Sequence, residues 1–378
     1  MTARWIESFE ASRNVNLFAR AYDVATGAVG SAHVGSRGGN ALNSANIVLR
    51  TRELVTPDEN TWIVGCMFQV ANATLGFAST QNAIPYVSIR NASGEQLRFE
   101  FLSDNSPTSK PGGIYYKIRV MRGATVLATS NERFDAREGT KTWVYFEFKA
   151  TVRTGTNGSF DVRWHSWYQK NQTMTWSAAN TGVNTANQAV DGGDRIEFSF
   201  NTGTDNDPVA FDEIYIFDGS GATHNDFYGE IYCEAIVPSG NGATLEWSLT
   251  GGAASLEDAW NEGATTQSVL EDDKRVTSDT VGQIELAAMT DLNLIQTSMI
   301  LGVQARVYGK MESSGSRDVE VFYRKTTGSP AQVGGAIGTF STGSNTAIHD
   351  IQVTDPNTGV DWVPADINGL QLGVRLDA

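Results

Sequence analysis

Apolar and polar side chains alternate with a period of two along several segments of the chain. Between residues 144 and 150, Val144, Phe146 and Phe148 recur at every second position, and Tyr145 and Glu147 stand between them. Successive side chains of a β-strand point to opposite faces, so this pattern predicts a strand with one core face and one wetter face. The same alternation predicts strands within 114–121, 195–200, 301–308, 319–323, 351–353 and 370–376.

Turn-forming residues separate these segments at short intervals. Glycine occurs 38 times, and turn signals stand at 38–40, 93–94, 111–113, 157–158 and 191–193. The best helical candidates are two short turns, at 255–260 and 364–368, because no longer segment sustains a period of 3.6. Many short strands without intervening helices are typical of sandwiches and jelly rolls, so the predicted fold class is all-β.

The length of 378 residues exceeds one typical core, which predicts two domains. The best linker candidate is residues 218–226, a small, polar, glycine-containing segment with a strand on either side. The predicted architecture is therefore a jelly-roll sandwich over residues 1–220, followed by a second, smaller β-sandwich over residues 227–378.

The formal net charge of −15 disfavours partners that are themselves negatively charged. An acidic surface repels nucleic-acid phosphates and anionic lipid headgroups, so we expect no nucleic-acid partner. We also expect no membrane span and no secretory signal, because no apolar window approaches roughly 18 residues. Cys66 and Cys233 lie in apolar runs of different predicted domains, which favours two small buried hydrophobic residues over a disulfide.

Two groups of segments resemble a known class of proteins. They are RWIESFE at 4–10 with GGNAL at 38–42, and a junction group of FDEIYIFD at 211–218, HNDFYGE at 224–230 and GAT at 242–244. Both are similar to bacteriophage virion and tail proteins that begin with a concanavalin-like (laminin-G-like) jelly-roll domain. The junction looks like the exit strand of that domain joined to the next one.

This resemblance implies a structural component of a bacteriophage virion, in the tail, a fibre, the baseplate or the head surface. Such a protein would be made in the host cytoplasm, would reside in the virion and would bind other virion proteins. Because virion parts occupy symmetric positions, we expect a homo-oligomer. The second domain offers small residues for close subunit contact, among them Gly302, Ala305 and Gly309.

Concanavalin-like jelly rolls, the domain type that the resemblance implies, include glucanases. Those enzymes need two carboxyl groups about 5–10 Å apart, which the Glu-X-Asp-X-X-Glu pattern would supply. Glu132, Asp135 and Glu138 have the wrong spacing, and the chain has no Gly-X-Ser-X-Gly, Cys-X-X-Cys or His-X-X-X-His motif. The sequence therefore predicts that the chain is not an enzyme and has no catalytic residues.

An oxygen-rich loop at 204–208 is the candidate metal site. It contains Asp205 and Asp207, and Asp212 follows shortly after. Calcium takes six or more oxygen ligands, so these three aspartates are its candidate ligands. The alternative is an ordinary turn, since Asp and Asn favour turns through hydrogen bonds to their own backbone. The sequence predicts no other cofactor.

The candidate ligand-binding site is the aromatic-rich segment 164–176. Trp167 and Trp176 present flat apolar faces that can stack on sugar rings, and Gln169 and Asn171 can hydrogen-bond hydroxyl groups. The alternative is burial, because strand alternation places Trp164 and Trp167 on opposite faces and one face must form the core.

Three functions follow from these observations. The first is a structural virion protein that acts through protein–protein assembly. The second is a glycan-binding adhesin that recognises the host cell surface during attachment. The third, a polysaccharide-degrading enzyme, is disfavoured by the missing carboxylate pattern.

Overall fold

The chain folds into two compact units, and the regular secondary structure of their described residues is mostly β-strand. The computed structural model describes residues 3–7, 22–26, 33–34, 40–44, 46–55, 57–70, 85–104, 113–130, 134–137, 143–166, 176–201, 209–220, 226–260, 274–292, 299–325, 333–342 and 346–377. The described residues up to Cys233 belong to the first unit, and those from Glu234 onward belong to the second. Most of the predicted linker, residues 221–225, lies outside the described residues.

The first unit is a jelly-roll sandwich of two antiparallel sheets. Its strands are β1 (Ala3–Glu7), β2 (Tyr22–Thr26), β3 (His33–Val34), β4 (Asn40–Ser44), β5 (Asn46–Thr51), β6 (Thr61–Val70), β7 (Tyr86–Asn91), β8 (Gly94–Asp104), β9 (Gly113–Arg122), β10 (Thr125–Thr129), β11 (Phe134–Arg137), β12 (Trp143–Thr151), β13 (Gly158–Ser166), β14 (Trp176–Val183), β15 (Arg195–Asn201) and β16 (Val209–Asp218). The first sheet has the order β14-β13-β12-β6-β16-β4-β3, with β1 also paired to β16. The second sheet has the order β10-β9-β8-β7-β15-β5-β2, with β11 also paired to β9.

Aromatic side chains from both sheets form the core between them. Phe68 of the first sheet stacks on Phe101 of the second with ring centroids 4.3 Å apart. Phe148 and Phe99 stack in the same way at 3.9 Å. Each side chain is almost completely buried, and such burial contributes roughly 1.5–3 kcal/mol per phenylalanine. Phe146 and Phe148 of β12 both face the second sheet, which explains why apolar residues recur at every second position of this strand.

The second unit is a smaller β-sandwich, and its described residues include two short helices. Its strands are β17 (Pro238–Leu245), β18 (Ser248–Thr250), β19 (Arg275–Thr277), β20 (Ile284–Met289), β21 (Val303–Gly309), β22 (Ser316–Lys325), β23 (Val333–Ser341), β24 (Thr346–Gln352) and β25 (Leu370–Leu376). A five-stranded sheet runs β17-β20-β25-β22-β23, and β18-β19 and β21-β24 form separate pairs. The helices are α1 (Leu256–Trp260) and α2 (Pro364–Ile367). Both short helical turns predicted from the sequence are therefore confirmed.

One buried cluster holds the second unit together. Val321 and Tyr323 of β22 are fully buried, and Trp362 beside α2 is 2% exposed. The indole Nε1 of Trp362 donates a hydrogen bond to the backbone oxygen of Gln352 at 2.9 Å. The small residues of this unit also serve its own packing: Ala305 is 2% exposed, and a Cβ on Gly309 would lie 2.2 Å from the Phe340 ring.

No disulfide joins the two cysteines, although they do not lie in different domains as the sequence pattern predicts. Both Cys66 and Cys233 are buried, and both belong to the first unit. Burial raises the pKa of the Cys66 thiol far above its ordinary value, so this side chain stays neutral and unreactive. In the described part of the chain, no helix has the length and apolarity needed to cross a membrane.

Candidate functional site

A short segment of the first unit covers the outer face of the first sheet. We call residues 226–233 the cover segment. Its Tyr228 ring contacts the rings of Tyr215 and Phe217 on β16, at 5.9 and 5.2 Å between centroids. The Arg163 guanidinium of β13 lies 3.9 Å above the centre of the Phe227 ring, in a cation–π contact. The cover segment therefore buries Tyr215 and Phe217 on this face.

Beneath the cover segment lies a cluster of two tyrosines and one glutamate. Glu147 of β12 is fully buried, and its Oε2 accepts hydrogen bonds from the hydroxyls of Tyr145 and Tyr215, both at 2.8 Å. The same oxygen accepts the backbone N–H of Gly229 at 3.1 Å. Among the described residues, no partner reaches the buried Oε1. Glu147 thus ties the cover segment to the sheet through a single oxygen.

A second buried carboxylate holds the far end of the cover segment. Glu213 lies at a β-bulge of β16, where the register shifts between Asp212 and Tyr215, and its backbone has a φ of 48°. This left-handed conformation is rare for a residue with a side chain. The carboxylate of Glu213 accepts a hydrogen bond from the backbone N–H of Cys233 at 2.5 Å. Glu147 and Glu213 therefore fix the cover segment at two points four residues apart.

Burial sets the protonation of this cluster. It raises the pKa of Glu147, while the hydrogen bonds from Tyr145 and Tyr215 and the charge of Arg163 act in the opposite direction. Burial also raises the pKa values of Tyr145 and Tyr215 well above the ordinary tyrosine value, and the nearby Glu147 charge adds to this. Both tyrosines therefore remain neutral donors, and the cluster acts as an anchor for the cover segment.

Glu147→Gln is expected to change how the stability of the first unit depends on pH. Because burial raises the pKa in the folded chain above the unfolded value of about 4.3, the folded state binds more protons between these two values. Wild-type stability therefore falls as the pH rises through this window. The variant has no ionisable group at position 147. Its free energy of unfolding minus that of wild type should therefore increase as the pH rises through the same window.

Denaturant titrations at a series of pH values measure this difference. Glu257→Gln, at an exposed position of α1, controls for the loss of a carboxylate elsewhere. If the free energy of unfolding of Glu147→Gln differs from that of wild type by the same amount at every pH, the prediction is wrong.

The outer face of the second sheet carries a ladder of alternating charges, which we call the arginine face. It runs across five neighbouring strands, β5, β15, β7, β8 and β9. Its members, in order, are Arg50, Glu197, Arg90, Glu95, Arg98, Glu100 and Arg119, and each ion-pairs with the next.

Strand register explains why these side chains meet. Glu197 of β15 stands opposite Arg50 of β5, and Glu100 of β8 stands opposite Arg119 of β9. Phe99 and Phe101 alternate with Arg98 and Glu100 along β8, so the charged residues point away from the core. The Arg119 Nε donates to Glu100 Oε2 at 2.6 Å, and the Tyr86 hydroxyl donates to Glu197 Oε1 at 3.0 Å.

The predicted calcium ligands are only partly within the described residues. Asp205 and Asp207 lie outside them. Asp212 is 2% exposed on β16, and its Oδ1 accepts the backbone N–H of Glu213 at 2.9 Å. Within the described ranges, no three His, Cys, Asp or Glu side chains are grouped so that they could hold a metal ion. The calcium site stays a prediction.

The predicted sugar-stacking residues fall almost entirely outside the described residues. Trp167, Gln169 and Asn171 lie in the gap 167–175. The backbone of Trp176 begins β14 and pairs with that of Trp164. Trp164 itself is 1% exposed and belongs to the core of the first unit, in agreement with the burial alternative for this side chain.

Comparisons with known proteins give neighbours for the fold. The sequence matches no family model and no curated protein. Among solved structures, an alginate lyase of Aplysia kurodai is 12% identical with a TM-score of 0.39 and covers 58% of this chain and 100% of its own. An endo-β-1,4-glucuronan lyase of Trichoderma reesei is 10% identical, with a TM-score of 0.33 and coverage of 57% and 95%. The VIP36 exoplasmic/lumenal domain, bound to Ca²⁺ and Man2, is 13% identical, with a TM-score of 0.31 and coverage of 49% and 84%.

These neighbours overturn the prediction that the chain is not an enzyme. Several of them are polysaccharide lyases, whereas that prediction rests on the absence of a hydrolase carboxylate pair and of nucleophile motifs. A lyase cleaves by elimination, which requires neither signature, so the absence of both excludes nothing about lyase chemistry. At these identities and TM-scores, the likeness assigns no activity to this chain.

Proposed function

We propose that the chain is a structural component of a bacteriophage virion that acts through protein–protein assembly. Support comes from the junction residues that resemble those of virion proteins. Residues 211–218 of that junction lie in β16, an interior strand of the first sheet, and Phe227 to Gly229 lie in the cover segment. The resemblance therefore concerns residues that build the first unit.

Exposed apolar residues of the second unit favour assembly. β23 is the last strand of the five-stranded sheet, and its Ile337 is 56% exposed. An edge strand presents backbone N–H and C=O groups that can pair with another chain. Pairing through this edge in a homo-oligomer, or with another virion protein, would cover both the edge and Ile337.

Purified particles should contain this chain in multiple copies. The expected result of quantitative mass spectrometry is co-purification of the chain with the major head protein through a density gradient, at a constant ratio across the particle peak. An abundant host protein of similar size serves as the control and should be lost. If the chain is present in the infected lysate but absent from the particle peak, the proposal is wrong.

The alternative function is a glycan-binding adhesin for host attachment. Its predicted aromatic residues lie mainly outside the described residues, so its support has to come from another surface of the first unit. The arginine face is such a surface.

A further inference from the structure

The arginines of the arginine face are its outermost charged groups. The side chains of Arg50, Arg90, Arg98 and Arg119 are 20–27% exposed, whereas those of Glu197, Glu95 and Glu100 are 3–15% exposed. A molecule that approaches this face therefore meets guanidinium groups, with the carboxylates lying beneath them.

The ladder is also biased towards positive charge. An arginine stands at each end of the ladder, so it holds four arginines and three glutamates. The ladder therefore carries one positive charge in excess. The whole chain, by contrast, has a net charge of −15. A cationic face of an acidic protein selects anions at short range, where salt screens the rest of the molecule.

Each guanidinium retains hydrogen-bonding capacity. An arginine side chain has five N–H donors in a planar fork, and Arg98 uses few of them: its NH2 group lies 2.8 Å from Glu100 and its NH1 group 3.5 Å from Glu95. The fork geometry fits carboxylates in particular, because two parallel N–H···O bonds can form.

The ladder is long enough for a polymer. It crosses five adjacent strands, and strands lie about 4.8 Å apart, so Arg50 and Arg119 are separated by roughly 19 Å. The sheet face offers a row of cationic groups along this length, which suits several units of an extended chain better than a single small molecule.

We propose that the arginine face binds an acidic polysaccharide, a sugar polymer whose units carry carboxylates that pair with Arg98 and Arg119. This inference goes beyond the structural role in the virion and does not depend on it. It gives the glycan-binding alternative a defined surface and a ligand class.

The test measures binding of the full-length chain to polygalacturonate, with neutral dextran as the comparison polymer. We expect binding to polygalacturonate only, weakened by added salt because the pairs are ionic. Arg98→Gln and Arg119→Gln should each weaken binding by roughly tenfold or more, the range for losing a charge-assisted hydrogen bond. Arg98→Lys keeps the charge without the fork and should fall between wild type and Arg98→Gln.

Arg153→Gln is the matched control, since Arg153 belongs to the same unit, pairs with Asp191 and is 42% exposed outside the ladder. It should bind like wild type. Melting curves establish that each variant is folded, and each ladder glutamate keeps an arginine partner when only Arg98 or Arg119 is replaced. Absence of binding to polygalacturonate at low salt, unchanged binding by folded Arg98→Gln and Arg119→Gln, or an equal loss in Arg153→Gln would overturn the proposal. Particle mass spectrometry reports separately on the structural role.

Discussion

Gly65→Ala should destabilise the first unit by about 2–6 kcal/mol. Gly65 of β6 stands opposite Tyr215 of β16, and the tyrosine ring lies across it. A Cβ at position 65 would be 2.1 Å from Cε1 of Tyr215, closer than any real contact. The ring cannot turn aside freely, because its hydroxyl donates to the buried Glu147.

Two separate costs add in this variant. Forcing an extra methyl group into a packed site costs about 1–3 kcal/mol. Moving Tyr215 also breaks a hydrogen bond to a buried carboxylate, which costs about 1–3 kcal/mol more. Chemical denaturation measures the sum, and hydrogen exchange of β6 and β16 should show the loss of protection locally.

Gly240→Ala is the control for this substitution. No atom lies within 4 Å of a Cβ at residue 240, and its backbone is outside the left-handed region. Its effect should stay within about 0.5 kcal/mol. A Gly65→Ala variant with wild-type stability would mean that Tyr215 does not hold the position described.

Local sequence pattern was sufficient to predict the strands and their core faces. The alternation at 144–150 predicts a strand with Phe146 and Phe148 facing the core, and β12 has both side chains buried. The pairing of β12 with β6, and of β6 with β16, agrees with the all-β fold class. The reason is that a strand with one buried face must repeat apolar residues at every second position, and this information is contained within a few residues.

The surroundings of Glu147 were not predictable in this way. Alternation placed Tyr145 and Glu147 on the wetter face of β12, yet both are fully buried. The cover segment that buries them is more than 80 residues away in sequence, as the hydrogen bond from Gly229 shows. One signal was available: Tyr228 and Phe227 are large aromatic residues in a segment that alternation does not assign to a strand.

The arginine face was missed for a similar reason. Charged residues alternate with Phe99 and Phe101 on β8, which indicates an exposed charged face. Their partners come from distant strands, since Arg50 pairs with Glu197 across 147 positions. Register between strands so far apart depends on the whole sheet and is not contained in any local pattern.

Trp362→Ala should destabilise the second unit by about 3–5 kcal/mol. Trp362 is 2% exposed and packs in the cluster that contains Val321 and Tyr323. Removing the indole leaves a cavity and deprives the backbone oxygen of Gln352 of its 2.9 Å hydrogen bond. Because a small domain has about 5–15 kcal/mol of stability in total, much of the second unit's stability depends on this one side chain.

Trp362→Phe and Val360→Ala complete the test. The phenylalanine variant keeps an aromatic ring but loses the N–H donor, so we expect a smaller loss than for Trp362→Ala. Val360 lies two residues away and is 61% exposed, so Val360→Ala should change stability by no more than about 0.5 kcal/mol. Denaturant unfolding gives the order of the three variants, and hydrogen exchange of β22 and β25 should report the loss, because these strands carry Val321 and Leu370 of the same cluster. Equal effects of Trp362→Ala and Val360→Ala would contradict a core centred on Trp362.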